Sequence, residues 1–156
     1  FGLLLQLVNI SKDVYDDYTA EDNVYLPAEW LREVGVPQEE VIDDGHEASA
    51  ASVVRRTAEF AGSFIDDAQT YLETVPLRDG NTLEAWAIPF LLAVGTLREL
   101  LARPEDALSS KGVKISRQEV LAVVTEMSNG GSRDALDELR RDIAAGPYHA
   151  SPSNAD

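Results

Sequence analysis

The sequence predicts an all-α protein, and three observations lead to that class. Apolar residues recur every three or four positions through each long segment, as they do on one face of a helix. Residues typical of helix ends, such as Pro27, Gly35 and Ser116, separate those segments. No segment shows the two-residue alternation of a half-buried strand. One helical domain is expected, because 156 residues can enclose a single hydrophobic core.

The predicted helices follow one another along the whole chain. Pro89 should kink the fourth of them, since proline lacks the N–H that an interior helical position donates. Ser116 and Glu119 form the capping-box pattern of a helix start, and Gly80 and Gly130 lie in segments predicted to be loops. The expected helices cover 1–18, 27–35, 47–74, 82–104, 116–127 and 132–145, with an acidic half-turn at 37–45.

The composition excludes several classes of protein. The chain has 28 acidic and 13 basic residues, a net charge of −15, which argues against a nucleic-acid-binding surface. Only three of the basic residues are lysines, and such an acidic, lysine-poor surface suits concentrated salt, where ions screen the self-repulsion. Salt adaptation is therefore one hypothesis, and an ordinary acidic protein is the alternative.

The absence of cysteine excludes disulfides, thiolate catalysis and cysteine metal sites. No signal peptide and no uninterrupted apolar run of about 18 residues is visible, so a cytoplasmic location is expected. His46 and His149 lie far apart in turn and tail sequence, and we expect both to be surface residues.

A polar stripe runs along the otherwise apolar first helix. Its members fall within an arc of roughly 100° on the helix wheel: Gln6, Asn9, Asp13, Asp16 and Asp17. A helix that is apolar around most of its circumference is normally buried, and unpaired carboxylates cannot be buried cheaply. The stripe should therefore face a water-filled cavity or a cation, unless it is the solvated face of an ordinary amphipathic helix. Asp13 and Asp17, one turn apart, could share a Mg²⁺ ion.

The segment LLLQLVNISKDVYDDYTAEDNVYLP, residues 3–27, resembles the second aspartate-rich segment of the squalene and phytoene synthase family. The matching residues are Gln6, Asn9, Ile10, Asp13, Asp16, Asp17, Tyr25 and Pro27. The segments 70–97 and 112–129 are similar to parts of squalene synthases, so the likeness extends over about residues 1–130. It favours the squalene branch over the phytoene branch.

This resemblance implies an isoprenoid synthase helical bundle. Two aspartate-rich helices would face a central cavity and hold Mg²⁺ against the diphosphates of two prenyl substrates. The enzyme, a prenyltransferase, would join two farnesyl diphosphates head to head through a cyclopropyl diphosphate and reduce that intermediate to squalene with NADPH. The alternatives are a phytoene synthase that joins two geranylgeranyl diphosphates without a reductant, and a non-catalytic relative that serves in binding or assembly.

The resemblance also implies a role for individual residues. Asp13 and Asp17 would be catalytic Mg²⁺ ligands, with Asp16 beside them as a third acid. Diphosphate would be bound by Gln6, Asn9 and Lys12, and the nicotinamide cofactor by Asn9, Lys114 and Arg117. The family usually has arginine at the positions of Lys12 and Asn23, and neither replacement is equivalent at a bidentate phosphate contact.

The family's first aspartate-rich helix has no counterpart in this sequence. We therefore expect residues 1–145 to be the C-terminal part of a synthase domain in a longer protein, followed by a flexible tail at 146–156. The N-terminal half would carry the first motif, so this chain alone is expected to be inactive. Prenyl substrates are lipids, which makes peripheral contact with a membrane plausible.

Overall fold

The computed structural model of the chain describes residues 1–77, 83–129 and 131–149. All regular secondary structure within these ranges is helical, which confirms the all-α prediction. Predicted breaks at Gly80 and Gly130 lie outside the described residues. The helices are α1 (Gly2–Lys12), α2 (Val14–Glu21), α3 (Ala28–Glu33), α4 (Glu47–Gly62), α5 (Ile65–Thr74), α6 (Glu84–Ala102), α7 (Arg117–Ser128) and α8 (Arg133–Ala145), with short 3-10 turns at Gln38–Glu40 and Pro104–Leu108.

The first predicted helix is in fact two helices, so the single helix expected over 1–18 is wrong. α1 ends at Lys12 and α2 begins at Val14, with Asp13 between them at φ −99° and ψ 15°. The hydrogen-bond ladder nevertheless crosses the junction, because Asp13 N–H donates to the Asn9 carbonyl at 3.0 Å and Asp17 N–H donates to the Asp13 carbonyl at 2.8 Å. Asp13 therefore lies at a local irregularity between two nearly continuous helices.

The long helix expected over 47–74 is also wrong, because it is interrupted at Ser63 and Phe64. Ser63 N–H donates to the carbonyls of Glu59 and Phe60 at 3.2 Å, and Phe64 N–H donates to the Ala61 carbonyl at 3.1 Å. These bonds tighten the last turn of α4 into a 3-10 turn. Gly62 and Ser63 have lower helix propensity than the alanines before them, which favours a break here.

α6 is the central helix of the fold and packs against α1, α4, α5, α7 and α8. Pro89 lies inside it, and the helix continues through this residue to Ala102. Its buried residues include Ala87, Phe90, Leu91, Ala93, Val94, Gly95, Leu97 and Leu100. By length and composition alone α6 could cross a membrane, but a core helix that packs against five neighbours passes the same test.

Gly95 allows the close approach of other elements to α6. A Cβ at this position would lie 3.2 Å from Ile115 Cγ2 and 3.3 Å from Ile143 Cγ2. The segment before α7 and the helix α8 therefore both press against the same turn of α6. Any larger side chain would push Ile115 away from the helix.

The capping box predicted at the start of α7 is only half present. The Ser116 hydroxyl accepts a hydrogen bond from Glu119 N–H at 3.0 Å, as expected. The Glu119 carboxylate does not return to Ser116, and instead receives the guanidinium of Arg98 on α6 at 2.8 and 2.9 Å. Glu119 is only 1% exposed, so a long-range ion pair has replaced the local contact.

Arg98 also fixes the end of α8 and the segment that follows it. Its guanidinium donates to the carbonyls of Ile143 and Gly146, both at 2.7 Å, and Tyr148 N–H donates to Glu119 at 3.1 Å. Gly146 and Tyr148, which the sequence assigns to a flexible tail, thus contact the α6–α7 ion pair. The rest of that predicted tail, 150–156, lies outside the described residues.

The structure also places the two histidines and an ion-paired arginine of α4. His149 is exposed, whereas His46 is half-buried and its Nε2 lies 2.9 Å from a carboxylate oxygen of Glu40. Arg56 makes an ion pair with Glu33 at 2.5 Å, and its guanidinium carbon lies 4.1 Å from the centroid of the Trp30 ring.

Candidate functional site

The polar stripe of α1 and α2 borders a depression of about 240 Å³, here called the carboxylate depression. It is lined by Gln6, Asn9, Ile10, Asp13, Asp17, Glu21 and Tyr25. The helical spacing of Asp13, Asp17 and Glu21, each one turn after the last, brings the three carboxylates to one side. Tyr25 closes the far end, where its hydroxyl donates to Glu21 at 3.0 Å.

The carboxylates repel one another in this depression. Burial raises the pKa of Asp17 above its ordinary value of 3.8, and the neighbouring charges of Asp13 and Glu21 raise it further. Lys12 acts in the opposite direction but does not outweigh them. The site therefore has more negative charge than its own residues neutralise, which is the electrostatic condition for binding a cation.

A second cavity, of about 310 Å³ and here called the lysine cavity, lies on the other side of Asp13. It is lined by Lys12, Asp13, Asp16, Leu92, Thr96, Gly112, Val113, Lys114, Ile115 and Val120. The Lys12 ammonium group donates to Asp13 Oδ1 at 2.6 Å. Asp16 is exposed and lines this cavity, so the structure separates it from Asp17, with which the helix wheel had grouped it.

The segment from Ser109 to Ser116 brings Lys114 to the lysine cavity. Gly112 has φ +64°, a left-handed conformation that favours glycine, and it turns the chain just before Lys114. The contact of Ile115 with α6 at Gly95 holds the other side of the segment. Arg117, predicted to bind the cofactor, is exposed in the first turn of α7 and is not among the residues that line this cavity.

A third depression, the apolar groove, runs between α1 and α6 and has a volume of about 230 Å³. It is lined by Leu5, Val8, Asn9, Lys12, Pro89, Leu92, Ala93 and Thr96. Asn9 also lines the carboxylate depression, and Lys12 also lines the lysine cavity. The three depressions therefore meet around Asn9, Lys12 and Asp13, where acidic, basic and apolar surfaces are adjacent.

The donor set fits a magnesium ion that is completed by a phosphate ligand. Among the described residues, no three histidine, aspartate or glutamate side chains form a group that could hold a metal on its own. Mg²⁺ usually takes one or two carboxylates and fills its other positions with waters and substrate phosphates. Asp13 and Asp17 could supply the carboxylates. The cationic Lys12 and Lys114 line the adjoining cavity, where they could donate charge-assisted hydrogen bonds to phosphate oxygens.

Comparison with known proteins shows which family this chain belongs to. The family model described as squalene/phytoene synthase matches residues 1–119, which include the stripe and the segment that carries Lys114. The chain belongs to the squalene/phytoene synthase family. The resemblance found from the sequence is thereby confirmed.

Two named relatives of the chain are phytoene synthases, and a solved squalene synthase has a similar fold. A 15-cis-phytoene synthase of Enterobacter agglomerans is 38% identical over 87 residues, which are 56% of this chain and 28% of that protein. A bifunctional lycopene cyclase/phytoene synthase of Phaeosphaeria nodorum is 34% identical over 99 residues, 63% of this chain and 17% of that protein. The solved structure of a squalene synthase, TcSQS with the ligand E5700, superposes with a TM-score of 0.71 at 22% identity.

That structural match covers 92% of this chain and 48% of the squalene synthase chain, and at this identity it establishes the fold alone. This squalene/phytoene synthase chain therefore spans about half the length of the solved squalene synthase. Its alignments with the two named phytoene synthases cover a smaller share of those enzymes. The isoprenoid synthase helical fold predicted from the sequence is confirmed.

Two polar residues that line these depressions, Glu21 and Thr96, are not among the predicted site residues. Glu21 continues the four-residue spacing of Asp13 and Asp17, so the pattern contained the signal. Thr96 comes from α6, and only the packing of α6 against α1 brings it near Lys12.

Proposed function

We propose that this chain supplies one side of the catalytic cavity of a prenyltransferase that condenses two prenyl diphosphates head to head. The observation that carries the proposal is the meeting of the three depressions around Asn9, Lys12 and Asp13. A prenyl diphosphate has a charged head and an apolar tail. The adjacent acidic, basic and apolar surfaces match this division.

The charged head would be bound at the polar end. Asp13 and Asp17 would hold Mg²⁺, and the ion would neutralise the diphosphate and so make it a better leaving group. Gln6 and Asn9 carry amide N–H donors for phosphate oxygens. Lys12 now contacts Asp13, and a bound diphosphate would offer its ammonium group a second anionic partner.

The apolar tail would lie between α1 and α6. Loss of diphosphate leaves an allylic cation, which water would quench. Leu5, Val8 and Leu92 line the groove with hydrocarbon, which would keep water away from the reacting carbons. Lys114, at the lysine cavity, is the cation best placed to meet the phosphates of diphosphate or of NADPH.

The squalene branch is the first choice for the product, with farnesyl diphosphate as substrate and NADPH as reductant. The likeness of residues 70–97 and 112–129 to squalene synthases supports it. A phytoene synthase that uses geranylgeranyl diphosphate is the second candidate, because the named relatives are phytoene synthases.

The test uses the natural protein that carries these residues, with Mg²⁺ in molar salt. Farnesyl and geranylgeranyl diphosphate are each offered with and without NADPH, and products are identified by mass. Squalene from the farnesyl substrate only with NADPH supports the first choice, and phytoene without a reductant supports the second. No product from either substrate would overturn the proposal and favour a binding or assembly role.

Two variants test the assigned residues. Asp13→Asn and Asp17→Asn should each lower turnover by about a hundredfold or more, because each removes a charge that holds the metal. Asp67→Asn is the matched control, since Asp67 is an exposed aspartate in the first turn of α5 and should leave turnover unchanged. Full turnover in the Asp13 variant would contradict the metal assignment.

A further inference from the structure

Arg98 and Glu119 form a buried ion pair that takes no part in the proposed chemistry. The guanidinium donates to both carboxylate oxygens of Glu119, at 2.8 and 2.9 Å, and both side chains are largely withdrawn from solvent. Neither residue lines the carboxylate depression, the lysine cavity or the apolar groove. A well-packed apolar pair can often replace buried charges without loss of stability, so the pair is consistent with a positioning role.

The ion pair lies beside the segment that precedes α7. A Cβ at Gly95 of α6 would meet three side-chain atoms: Ile115 Cγ2 at 3.2 Å, Ile143 Cγ2 at 3.3 Å and Glu119 Oε1 at 3.7 Å. Arg98 follows Gly95 by three residues and also donates to the Ile143 carbonyl at 2.7 Å. The ion pair, the last turn of α8 and the segment before α7 therefore meet at one turn of α6.

Lys114 lies between two apolar residues that hold this segment against the protein. Val113 is buried and Ile115 is half-buried, whereas Lys114 between them is exposed. The Lys114 side chain lies along Gly112, because a Cβ there would be 3.4 Å from its Cε and 3.8 Å from its Nζ. A displacement of Ile115 would therefore move the neighbouring ammonium group at the lysine cavity.

Lys114 has a charge that the described part of the protein leaves without an ion-pair partner. The two other lysines contact carboxylates, Lys12 that of Asp13 and Lys111 that of Asp106 at 2.8 Å. Within residues 1–77, 83–129 and 131–149, no carboxylate makes such a contact with Lys114. This lysine is therefore free to meet an anionic ligand at the lysine cavity.

We propose that the Arg98–Glu119 ion pair positions Lys114 for a phosphate group at the lysine cavity. The pair fastens the first turn of α7 to α6, and Ile115, packed on the same turn of α6, fixes the adjoining lysine. Arg98 and Glu119 are positioning residues, because neither lines the cavity. The inference rests on the proposed function, in which Lys114 meets the phosphates of diphosphate or of NADPH.

The experiment is a double-mutant cycle with ligand affinity as its readout. Calorimetry on the natural protein measures the dissociation constants of inorganic diphosphate with Mg²⁺ and of NADPH, and the ligand that responds identifies the phosphate that Lys114 meets. Lys114→Gln should weaken that ligand about tenfold and Glu119→Gln about fivefold. The double variant should bind no more weakly than Lys114→Gln, because Glu119 acts only through this lysine.

Two further variants separate positioning from loss of stability. Leu31→Ala removes a fully buried side chain where α3 packs on α4, so it should lower the Tm and leave both affinities unchanged. Gly95→Ala disturbs the segment from the α6 side, because the added Cβ crowds Ile115, and it should weaken the same ligand about threefold. If Glu119→Gln does not fold, Gly95→Ala replaces it in the cycle.

Additive losses in the double variant would overturn the inference, because the ion pair would then act on the ligand by another route. An unchanged affinity in Glu119→Gln, or an equal loss in Leu31→Ala, would overturn it too. Non-additive losses in a protein that forms no condensation product would refute the proposed function and retain the positioning role. Condensation with affinities that Glu119→Gln leaves unchanged would refute the positioning role alone, and binding of neither ligand would refute both.

Discussion

At the residue scale, Asp13 determines how the site is arranged. It lies where α1 passes into α2, and it borders both the carboxylate depression and the lysine cavity. Its neighbour Lys12 donates a hydrogen bond to it next to the lysine cavity, whereas Asp17 and Glu21 lie beside it in the carboxylate depression. The same carboxylate can therefore be balanced by a protein cation or by a metal.

The raised pKa of Asp17 predicts that this carboxylate lowers the stability of the metal-free protein at neutral pH, although it is needed to bind the metal. A carboxyl group whose pKa is raised by folding binds its proton more tightly in the native state, so the native state loses stability as pH rises above 3.8 through the raised pKa. Without metal, Asp17→Asn should raise the Tm at pH 7 by about 2 °C or less and leave it unchanged below the ordinary pKa of 3.8.

Thermal melts with and without Mg²⁺ and inorganic diphosphate check this prediction. The unaltered protein should gain Tm from the added ligands, because only the native state binds them. Asp17→Asn should lose most of that gain, and Asp67→Asn should keep it. A variant at Asp17 that melts lower at pH 7 without ligand would contradict the repulsion described for this depression.

At the element scale, α6 couples the site to the C-terminal helices. One face of α6 lines the groove through Pro89, Leu92 and Thr96, while Arg98 reaches Glu119 on α7. The segment that carries Lys114 lies between these contacts and packs on α6 at Gly95. The position of Lys114 thus depends on how α7 is held against α6.

The buried Arg98–Glu119 pair predicts a large cost for removing one charge. Burial opposes the ionisation of Glu119, but hydrogen bonds from Arg98 and from Tyr148 N–H outweigh it and hold the pKa of this carboxyl below its ordinary value of 4.5. Glu119→Gln leaves the Arg98 charge only partly compensated, so it should lower the free energy of unfolding by about 3 kcal/mol at pH 7.

Urea unfolding of the natural protein between pH 3 and pH 7 measures this effect. The stabilisation from a carboxyl with a lowered pKa is present above 4.5 and is lost as pH falls through the native pKa. The difference between Glu119→Gln and the unaltered protein should therefore be constant at neutral pH and shrink in acid. Glu105→Gln, at an exposed position, is the control, and a difference of equal size in both variants would refute the prediction.

At the scale of the whole molecule, the net charge of −15 opposes compaction. The described ion pairs bring some arginines and lysines to acidic partners, such as Arg56 to Glu33 and Lys111 to Asp106 at 2.8 Å. Ion pairs whose cation is exposed, as Arg56 and Lys111 are, contribute little stability each, so they do not remove the self-repulsion.

Salt adaptation therefore stays a prediction of the acidic composition. Helical circular dichroism and the Tm should rise between dilute buffer and molar KCl, because ions shorten the range of the repulsion to about 3 Å at 1 M. Molar sucrose serves as a control for general exclusion effects. An unchanged fold and Tm in dilute buffer would refute the hypothesis.

Local sequence alone was sufficient for the helical class, the N-cap at Ser116 and the polar stripe with Gln6, Asn9, Asp13 and Asp17. These features depend on residues within a turn or two of one another, and helical spacing therefore predicts them. Tertiary structure decided the rest. The Glu119 carboxylate binds Arg98 and not its local cap position. Lys114 lines the lysine cavity together with residues of α1 and α2, and the ring of Trp86 contacts that of Phe1.

These contacts join segments that are many residues apart, and no short-range pattern encodes them. The interruptions at Asp13 and at Ser63 follow the same rule, since the apolar periodicity continues across both and only the backbone geometry reveals the breaks. The separation of Asp16 from Asp17 is likewise a tertiary property, because α6 and the segment before α7 pack on one side of the stripe and not on the other.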